Sequence, residues 1–286
     1  MNVIVGKTYR LTKKIGEGSF GKIFAAEHVK QMHVEQMHVE QQLEADTYAV
    51  KLIMKENHQA LWQNEINIYE RLQGVKYIPS LYAAGSEGKY NYIVMDLLEQ
   101  NLEQLRTSYG SAMNLSVILH LGCQMITLLE TIHSKGILHR DIKPENFLIK
   151  TPRHNGISEL YLIDFGLARC YITENTNTHI PMKTNETIIG TLRYMSVSVQ
   201  QGFTASRKDD LESLGYILLY LQQGELPWQK TGEMSIAIKQ TFGWGYANQV
   251  VGEFILFIQY CRGLNFSAKP NYDYLRNLLT NLQKTL

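Results

Sequence analysis

Cysteine is scarce in this 286-residue chain: Cys123, Cys170 and Cys261 lie far apart, and no two stand in C-x-x-C spacing. That excludes a disulfide framework and a cysteine zinc site, and it favours a reducing, intracellular compartment. Charge of one sign is lacking as well. The 28 Lys and Arg against 27 Asp and Glu leave a formal net charge of +1. No global field would draw nucleic acid or an anionic membrane to the chain, so any basic site for an acidic partner must be local. No uninterrupted apolar run approaches the roughly 18 residues of a membrane span. Met1 to Lys7 lacks the apolar core of a signal peptide, Asn2 is not the glycine that myristoylation needs, and Asn281 to Leu286 carries no prenylation cysteine. A soluble cytoplasmic or nuclear protein is expected, with no nucleic-acid or membrane partner. What is present is ordinary for a globular protein, 44% hydrophobic and 19% charged, at a length that suits one large lobe or two modest ones.

The first 95 or so residues pattern as strands. Tyr9 to Glu27 alternates weakly around a glycine cluster, and Thr47 to Met54 and Tyr90 to Met95 are short β-like runs. Between the last two, Leu61, Glu65, Ile68 and Leu72 fall at helical spacing and end near Gly74. From about residue 100 the period turns helical. Asn114 can cap a helix carrying Leu115, Ile118, Leu119, Gly122, Met125, Leu129 and Ile132, with Gly136 as its stop. Asp209 to Gln223 is apolar on nearly every side and belongs at the centre of a helical lobe, while Val250 to Cys261 and Tyr272 to Leu282 supply two more helices. The fold class is α+β, a small β-rich lobe followed by a larger helical one. One segment stands apart: Glu27 to Gln41 nearly repeats a five-residue unit, Met-His-Val-Glu-Gln. Its histidines do not converge on a helix or a strand, so 28–45 reads as a lengthened surface connection rather than a metal site.

Gly16-Glu17-Gly18-Ser19-Phe20-Gly21 is weak alone, because G-x-G-x-x-G suits a dinucleotide fold, a phosphate-covering hairpin or a plain turn. Its sequel, Lys22 to Ala26, reads as strand where a dinucleotide fold needs a helix. Ala49-Val50-Lys51 follows on a β-like run, and Glu65 sits among the apolar positions of the expected helix. A lysine on a strand is ordinarily solvated, but a carboxylate among apolar positions is costly unless paired. A Lys51–Glu65 ion pair resolves both, holding the ammonium against α- and β-phosphates.

The strongest signal is His139-Arg140-Asp141-Ile142-Lys143-Pro144-Glu145-Asn146, which matches H-R-D-x-x-x-x-N at every fixed place, followed by Asp164-Phe165-Gly166. Phosphoryl transfer needs these residue types because its transition state spreads charge over oxygens, so the protein positions a metal and a nucleophile. Asp164 and the amide oxygen of Asn146 suit Mg²⁺, Asp141 suits the acceptor hydroxyl, and Lys143 suits the γ-phosphate of ATP. A binding-only relative of such an enzyme would have lost Lys51, Asp141, Asn146 or Asp164, and none is lost. A small-molecule kinase does not predict the catalytic-loop stretch, and Lys143 disfavours tyrosine as acceptor.

The chain resembles the casein kinase 1 family of protein Ser/Thr kinases. The likeness runs from about Lys7 to the C-terminus. It includes His133 to Leu138, Ser206-Arg207-Lys208-Asp209-Asp210-Leu211-Glu212-Ser213-Leu214-Gly215-Tyr216, Leu226-Pro227-Trp228-Gln229 and Lys269 to Arg276. Gly190 to Ser198 stands where most kinases carry A-P-E; the family carries Ser-Ile-Asn there and this chain Ser196-Val197-Ser198. The resemblance implies a bilobed kinase fold, with lobes at 7–95 and 100–286, a hinge at 96–99, and Mg-ATP bound between the lobes. It implies Met95 as gatekeeper, Asp96 and Leu98 as backbone partners of adenine, and Ile15, Ile23, Ala49, Leu148 and Ile163 as the adenine slot. Asp210 is implied to brace the catalytic-loop backbone. The family's preference for Ser/Thr near acidic or phosphorylated residues implies anion sites at Arg193 with Lys230, and at Arg140, Arg169 and Lys183. Glu186 departs from the lysine usual there, and Lys230 matches approximately. The segment after Trp228 is shorter than usual and lacks a Lys/Arg-rich nuclear-type stretch. With no long tail after the last helix, a monomeric, constitutively competent enzyme is the expectation.

Overall fold

In a computed structural model of the protein, the apolar run at 47–54 becomes a central strand of a six-stranded antiparallel sheet. The structure describes residues 3–18, 21–29, 47–110, 112–150, 159–173, 176, 178–243, 245 and 250–286. The chain divides into two units, Met1–Leu98 and Glu99–Leu286. In the first, β1 (Ile4–Val5), β2 (Tyr9–Gly18), β3 (Gly21–His28), β4 (Thr47–Met54), β5 (Leu81–Glu87) and β6 (Tyr90–Asp96) are ordered β1-β2-β3-β4-β6-β5. Strand alternation sorts their side chains onto two faces. Val50 and Val94 join Val5, Leu11, Ala26 and Tyr92 in a core on one face. Ala49, Lys51 and Met95 point to the other, where α1 (Lys55–Arg71) packs. The helix is broken at His58 (φ −139°, ψ 22°) and ends just before Gly74, which takes φ +75°.

The second unit is mostly helical: α2 (Leu102–Ser108), α3 (Leu115–Ser134), α4 (Val197–Gln200), α5 (Arg207–Gln223), α6 (Ser235–Thr241), α7 (Gly252–Gly263) and α8 (Tyr272–Gln283). Two short ribbons accompany them. Ile137–Leu138 (β7) pairs with Arg169–Cys170 (β10), and Phe147–Lys150 (β8) pairs with Glu159–Leu162 (β9). Every residue of α5 from Asp209 to Leu221 is buried, as its all-round apolar pattern implies, and it packs on α3 and α7. By length and composition α3 could cross a membrane, but its buried face packs on α5 and α8, the setting of a core helix.

Three local features differ from the sequence expectation. β1 begins ahead of residue 7, and β5, with its Ala83-Ala84-Gly85 centre, has little strand propensity of its own. α5 starts two residues before Asp209 because Ser206 and Asp209 form a capping box. Short α2 is closed by the same device, with Asn101 Oδ1 accepting from Gln104 N at 2.8 Å and Gln104 Oε1 accepting from Asn101 N at 2.9 Å. Residues 30–46, and with them nearly all of the five-residue near-repeat, lie outside the described residues.

Candidate active site

In the first unit the sheet register lines up the expected phosphate-handling residues. Gly16 pairs with Ile23, Ile23 with Lys51, Ala49 with Met95, and directly opposed residues share a face. Ile23, Lys51, Ala49 and Met95 therefore sit side by side. Lys51 Nζ donates to both Glu65 oxygens at 2.8 Å, the two side chains being 9% and 2% exposed. Two charges this deeply buried are tolerable because each answers the other in a two-point pair. Gly21 is required by space: a Cβ there would lie 2.3 Å from Leu52 O. Gly16 and Gly18 meet no such obstacle, and Ser19 and Phe20 lie outside the described residues. Glu17 pairs with Lys14 on the exposed hairpin, Ile15 is exposed, and Leu98 is buried. The Asp96 carboxylate is engaged by Ser80 N at 2.7 Å and Tyr82 Oη at 3.0 Å, leaving its backbone as the part expected to meet adenine.

In the second unit, the loop after β7 is tied to α5 by Asp210. Its Oδ2 accepts from His139 N (2.8 Å), its Oδ1 from Arg140 N (2.9 Å), and Oδ2 also contacts His133 Nε2 at 3.0 Å. Burial alone would raise the Asp210 carboxyl, but the bond and charge of His133, helped by His139, outweigh it and hold it below its ordinary range. Arg140 takes φ +67°, a left-handed conformation unusual for a non-glycine, which these bonds hold in place. The backbone so fixed presents Asp141. Its Oδ1 accepts from Thr191 N (2.9 Å) and Thr191 Oγ1 (2.7 Å), and its Oδ2 accepts from Lys143 Nζ (2.7 Å). Thr191 can come this close because of Gly190, which takes φ +104° and whose Cβ would lie 2.6 Å from Arg140 O. With two acceptor directions per carboxylate oxygen, Oδ1 is filled and Oδ2 keeps one for an acceptor hydroxyl.

Asn146 Nδ2 donates to Asp141 O at 2.8 Å, which turns its amide oxygen the other way. Ile163 N donates to Asn146 O at 3.0 Å, and His139 Nε2 contacts Ile163 O at 2.9 Å, so the two motifs interlock just ahead of Asp164. Asp164 itself takes φ 66°, ψ 69°. A left-handed conformation is uncommon for a non-glycine, though less so for aspartate than for most, and such positions cluster at working sites. Leu148 pairs with Tyr161 in the β8–β9 ribbon beside these residues.

A sequence model of the protein kinase domain matches residues 9–273. The chain belongs to the protein kinase family. It has the bilobed kinase fold, and it is an ATP-dependent Ser/Thr protein kinase.

The kinase's oxygen donors fit a hard cation: one amide oxygen, on Asn146, and one carboxylate, on Asp164. Among the described residues no group of three or more His, Cys, Asp or Glu could hold a metal. Mg²⁺ commonly takes one or two protein oxygens together with substrate phosphates, so this sparse set suits it.

The expected anion cations fare unequally. Arg140 and Arg169 line one small cavity of about 40 Å³ near α5, and burial, then the neighbouring Arg169, pulls the Arg140 guanidinium down to about 10. Glu186 lines the same cavity, 3.7 Å from Arg169. Lys183, expected with them, is not in the lining; its side chain is exposed and its N–H donates to Thr204 Oγ1. Lys230 is exposed and pairs with Glu225 at 2.8 Å. Arg193 lies over the Tyr194 and Tyr220 rings, 5.8 and 6.0 Å from their centroids, and Trp228 Nε1 donates to its carbonyl at 2.8 Å.

Two supporting residues escaped the sequence reading. Thr191 was visible only as part of an atypical stretch, although a Gly-Thr pair in the place of a familiar motif marks a backbone that must come close to something. His133 stands in the His133–Leu138 stretch of family likeness with no role attached, and its pairing with Asp210 needs a contact between α3 and α5 that no local pattern encodes.

Proposed function

We propose that this enzyme is a casein kinase 1-type kinase that uses Mg²⁺ and acts on Ser or Thr near acidic or phosphorylated residues of protein substrates. The observation that carries this reading is that three stretches resembling the family form one hydrogen-bonded unit. Asp209 Oδ1 accepts from Ser196 Oγ at 2.7 Å and from Ser198 Oγ, the residues standing where other kinases have A-P-E. Trp228, from Leu226–Gln229, holds Arg193 of the same segment.

The magnesium ion, when bound, offsets the negative charge that builds on the phosphate oxygens. Asn146 and Asp164 are the residues that hold it. Asp141 Oδ2 orients the acceptor hydroxyl and takes its proton as the oxygen bonds to the γ-phosphorus and the bond to the ADP oxygen breaks. Lys143, 2.7 Å from that carboxylate, offsets charge on the transferred group, and Lys51, held by Glu65, binds the α- and β-phosphates. Ile15, Ile23, Ala49, Met95, Leu98, Leu148 and Ile163 are assigned to adenine.

The acidic preference rests mainly on Arg193, since Arg169 faces Glu186 and Lys230 is paired with Glu225. Comparing a phosphoserine-primed peptide with its unprimed twin tests this. Arg193→Ala is expected to lower kcat/KM about tenfold or more on the primed peptide and little on the other, as for loss of a charged hydrogen bond. Equal losses on both peptides would remove Arg193 from substrate recognition.

A further inference from the structure

We propose that Lys239 is a positioning residue for phosphoryl transfer, its ammonium fixing the backbone that carries Thr191 and, through Thr191, the base Asp141. Lys239 lies on α6 and is fully buried, with 0% exposure. Its Nζ donates to Leu192 O at 2.6 Å, Met195 O at 2.9 Å and Gln200 Oε1 at 3.0 Å. An ammonium has three N–H donors, and here each meets a neutral oxygen of the segment from 192 to 200. The Tyr216 and Trp228 rings flank it, 5.5 and 5.6 Å from Nζ to their centroids.

Filling the space does not explain such a residue. Lysine is among the side chains least often buried, and an apolar chain of the same length would fill the volume without removing a charge from water. What the charge adds is a grip on carbonyls. Tyr194 N and Met195 N both donate to Thr191 O, at 3.0 and 3.1 Å, so the two carbonyls held by Lys239 belong to the turn that Thr191 opens. Thr191 then reaches Asp141 through its N–H and its hydroxyl. On the other side Arg262 Nη2 donates to Lys239 O at 2.7 Å, and Arg262 Nε bonds Glu212 at 3.0 Å, which fastens α6 to α5 and α7.

The titratable groups facing Lys239 are Glu212 and Tyr216 from α5 and Arg262 from α7; α4 contributes Gln200, and the loop after α5 contributes Trp228. Burial pulls the Lys239 ammonium down to about 8, with Glu212 opposing and Arg262 assisting. Above that pH the folded protein sheds a proton that the unfolded chain keeps to about 10.4, so this group's contribution to stability rises with pH. Its grip weakens over the same interval, because a neutral amine has two donors for three acceptors and loses the charge assistance. A residue that served stability alone would give no loss of activity there.

The inference rests on Asp141 as the catalytic base, and the test separates the two. The full chain is assayed with Mg-ATP and dephosphorylated casein from about pH 6.5 to 9.5. Wild-type kcat is expected to fall with an apparent pKa near 8. Lys239→Arg keeps its activity through that range. Lys239→Met has kcat about tenfold lower at pH 7, an unchanged KM for ATP and no limb near pH 8, as for a modest misplacement of the base. Wild-type kcat in Lys239→Met, or the same limb persisting in it, overturns the proposal. Amide exchange over 190–201, corrected for its intrinsic pH dependence, needs neither turnover nor a folded variant. In the wild type it is expected to speed up several-fold through pH 8, and an unchanged corrected rate refutes the role even if no transfer is detected.

Discussion

The two units hold their working groups by different means. In the first, the Lys51 ammonium is balanced by an opposite charge on a helix that packs on the sheet, so its position follows the position of α1. In the second, Asp141 is set by backbone: Asp210 pins the loop before it, Gly190 lets Thr191 approach, and only then does a charge, Lys143, complete the arrangement. A charge pair between separate elements is adjustable, whereas a loop pinned by a fully buried aspartate is not. The first arrangement suits the proposed hold on a flexible triphosphate, the second the proposed base, whose placement would set the rate.

Mutations that separate charge from position test this contrast. Asp141→Asn is expected to lower kcat by about 10²–10⁴ with little change in melting temperature, because an asparagine oxygen still accepts from Thr191. Lys51→Met should also cost nearly all transfer, but with a different stability signature. Leaving Glu65 buried without its partner costs about 3–5 kcal/mol, measurable by urea unfolding, and adding Glu65→Leu should restore most of the stability and none of the activity. If the double variant stays as unstable as the single one, the pair is not what keeps the first unit's charges tolerable.

Asp210→Asn is expected to lower kcat about ten- to a hundredfold by loosening the loop. It also carries a pH signature. Because the folded Asp210 carboxyl lies below its ordinary value of 3.8, its contribution to stability is present above about pH 4 and is lost as pH falls through the lower folded value. The stability gap between wild type and variant should therefore narrow in acid, and a gap that widens there would contradict the assigned direction. Lys230→Ala should change neither stability nor activity on unprimed peptides, since both it and its partner Glu225 are exposed and water screens the pair.

Much of this was legible in the chain. Periodicity found α1, α3, α5, β4 and β6 because each carries one long pattern, and Lys51, Asp141, Asn146 and Asp164 stand in motifs whose spacing is set by their chemistry. Short α2 and α6 were missed because neither carries a long stripe of its own: a capping box specifies α2, and packing on neighbours such as α4 specifies α6. The supports of the base were hidden for a related reason. His133, Thr191, Asp210 and Lys239 meet the loop or its segment across separations that no local pattern encodes, although Asp210 was anticipated through the family likeness. Lys239 carries no signal of its own, as a lysine outside any motif is ordinarily a solvated one, yet it is fully buried. The weaker part of the anion cluster was signalled by Glu186, the one residue there of the wrong sign.

At the centre of the proposed mechanism is the Asp141 carboxylate, held by Thr191 and Lys143, as the base that takes the acceptor hydroxyl's proton while the phosphoryl group moves from ATP to that oxygen. The direct measurement is phosphoamino-acid analysis of casein after incubation with γ-labelled Mg-ATP and the purified chain. Label is expected on serine and threonine with the wild type and none above background with Asp141→Asn, at equal nucleotide binding. Wild-type protein that binds ATP yet leaves casein unlabelled, or an Asp141→Asn protein that labels it equally, would contradict this role for Asp141.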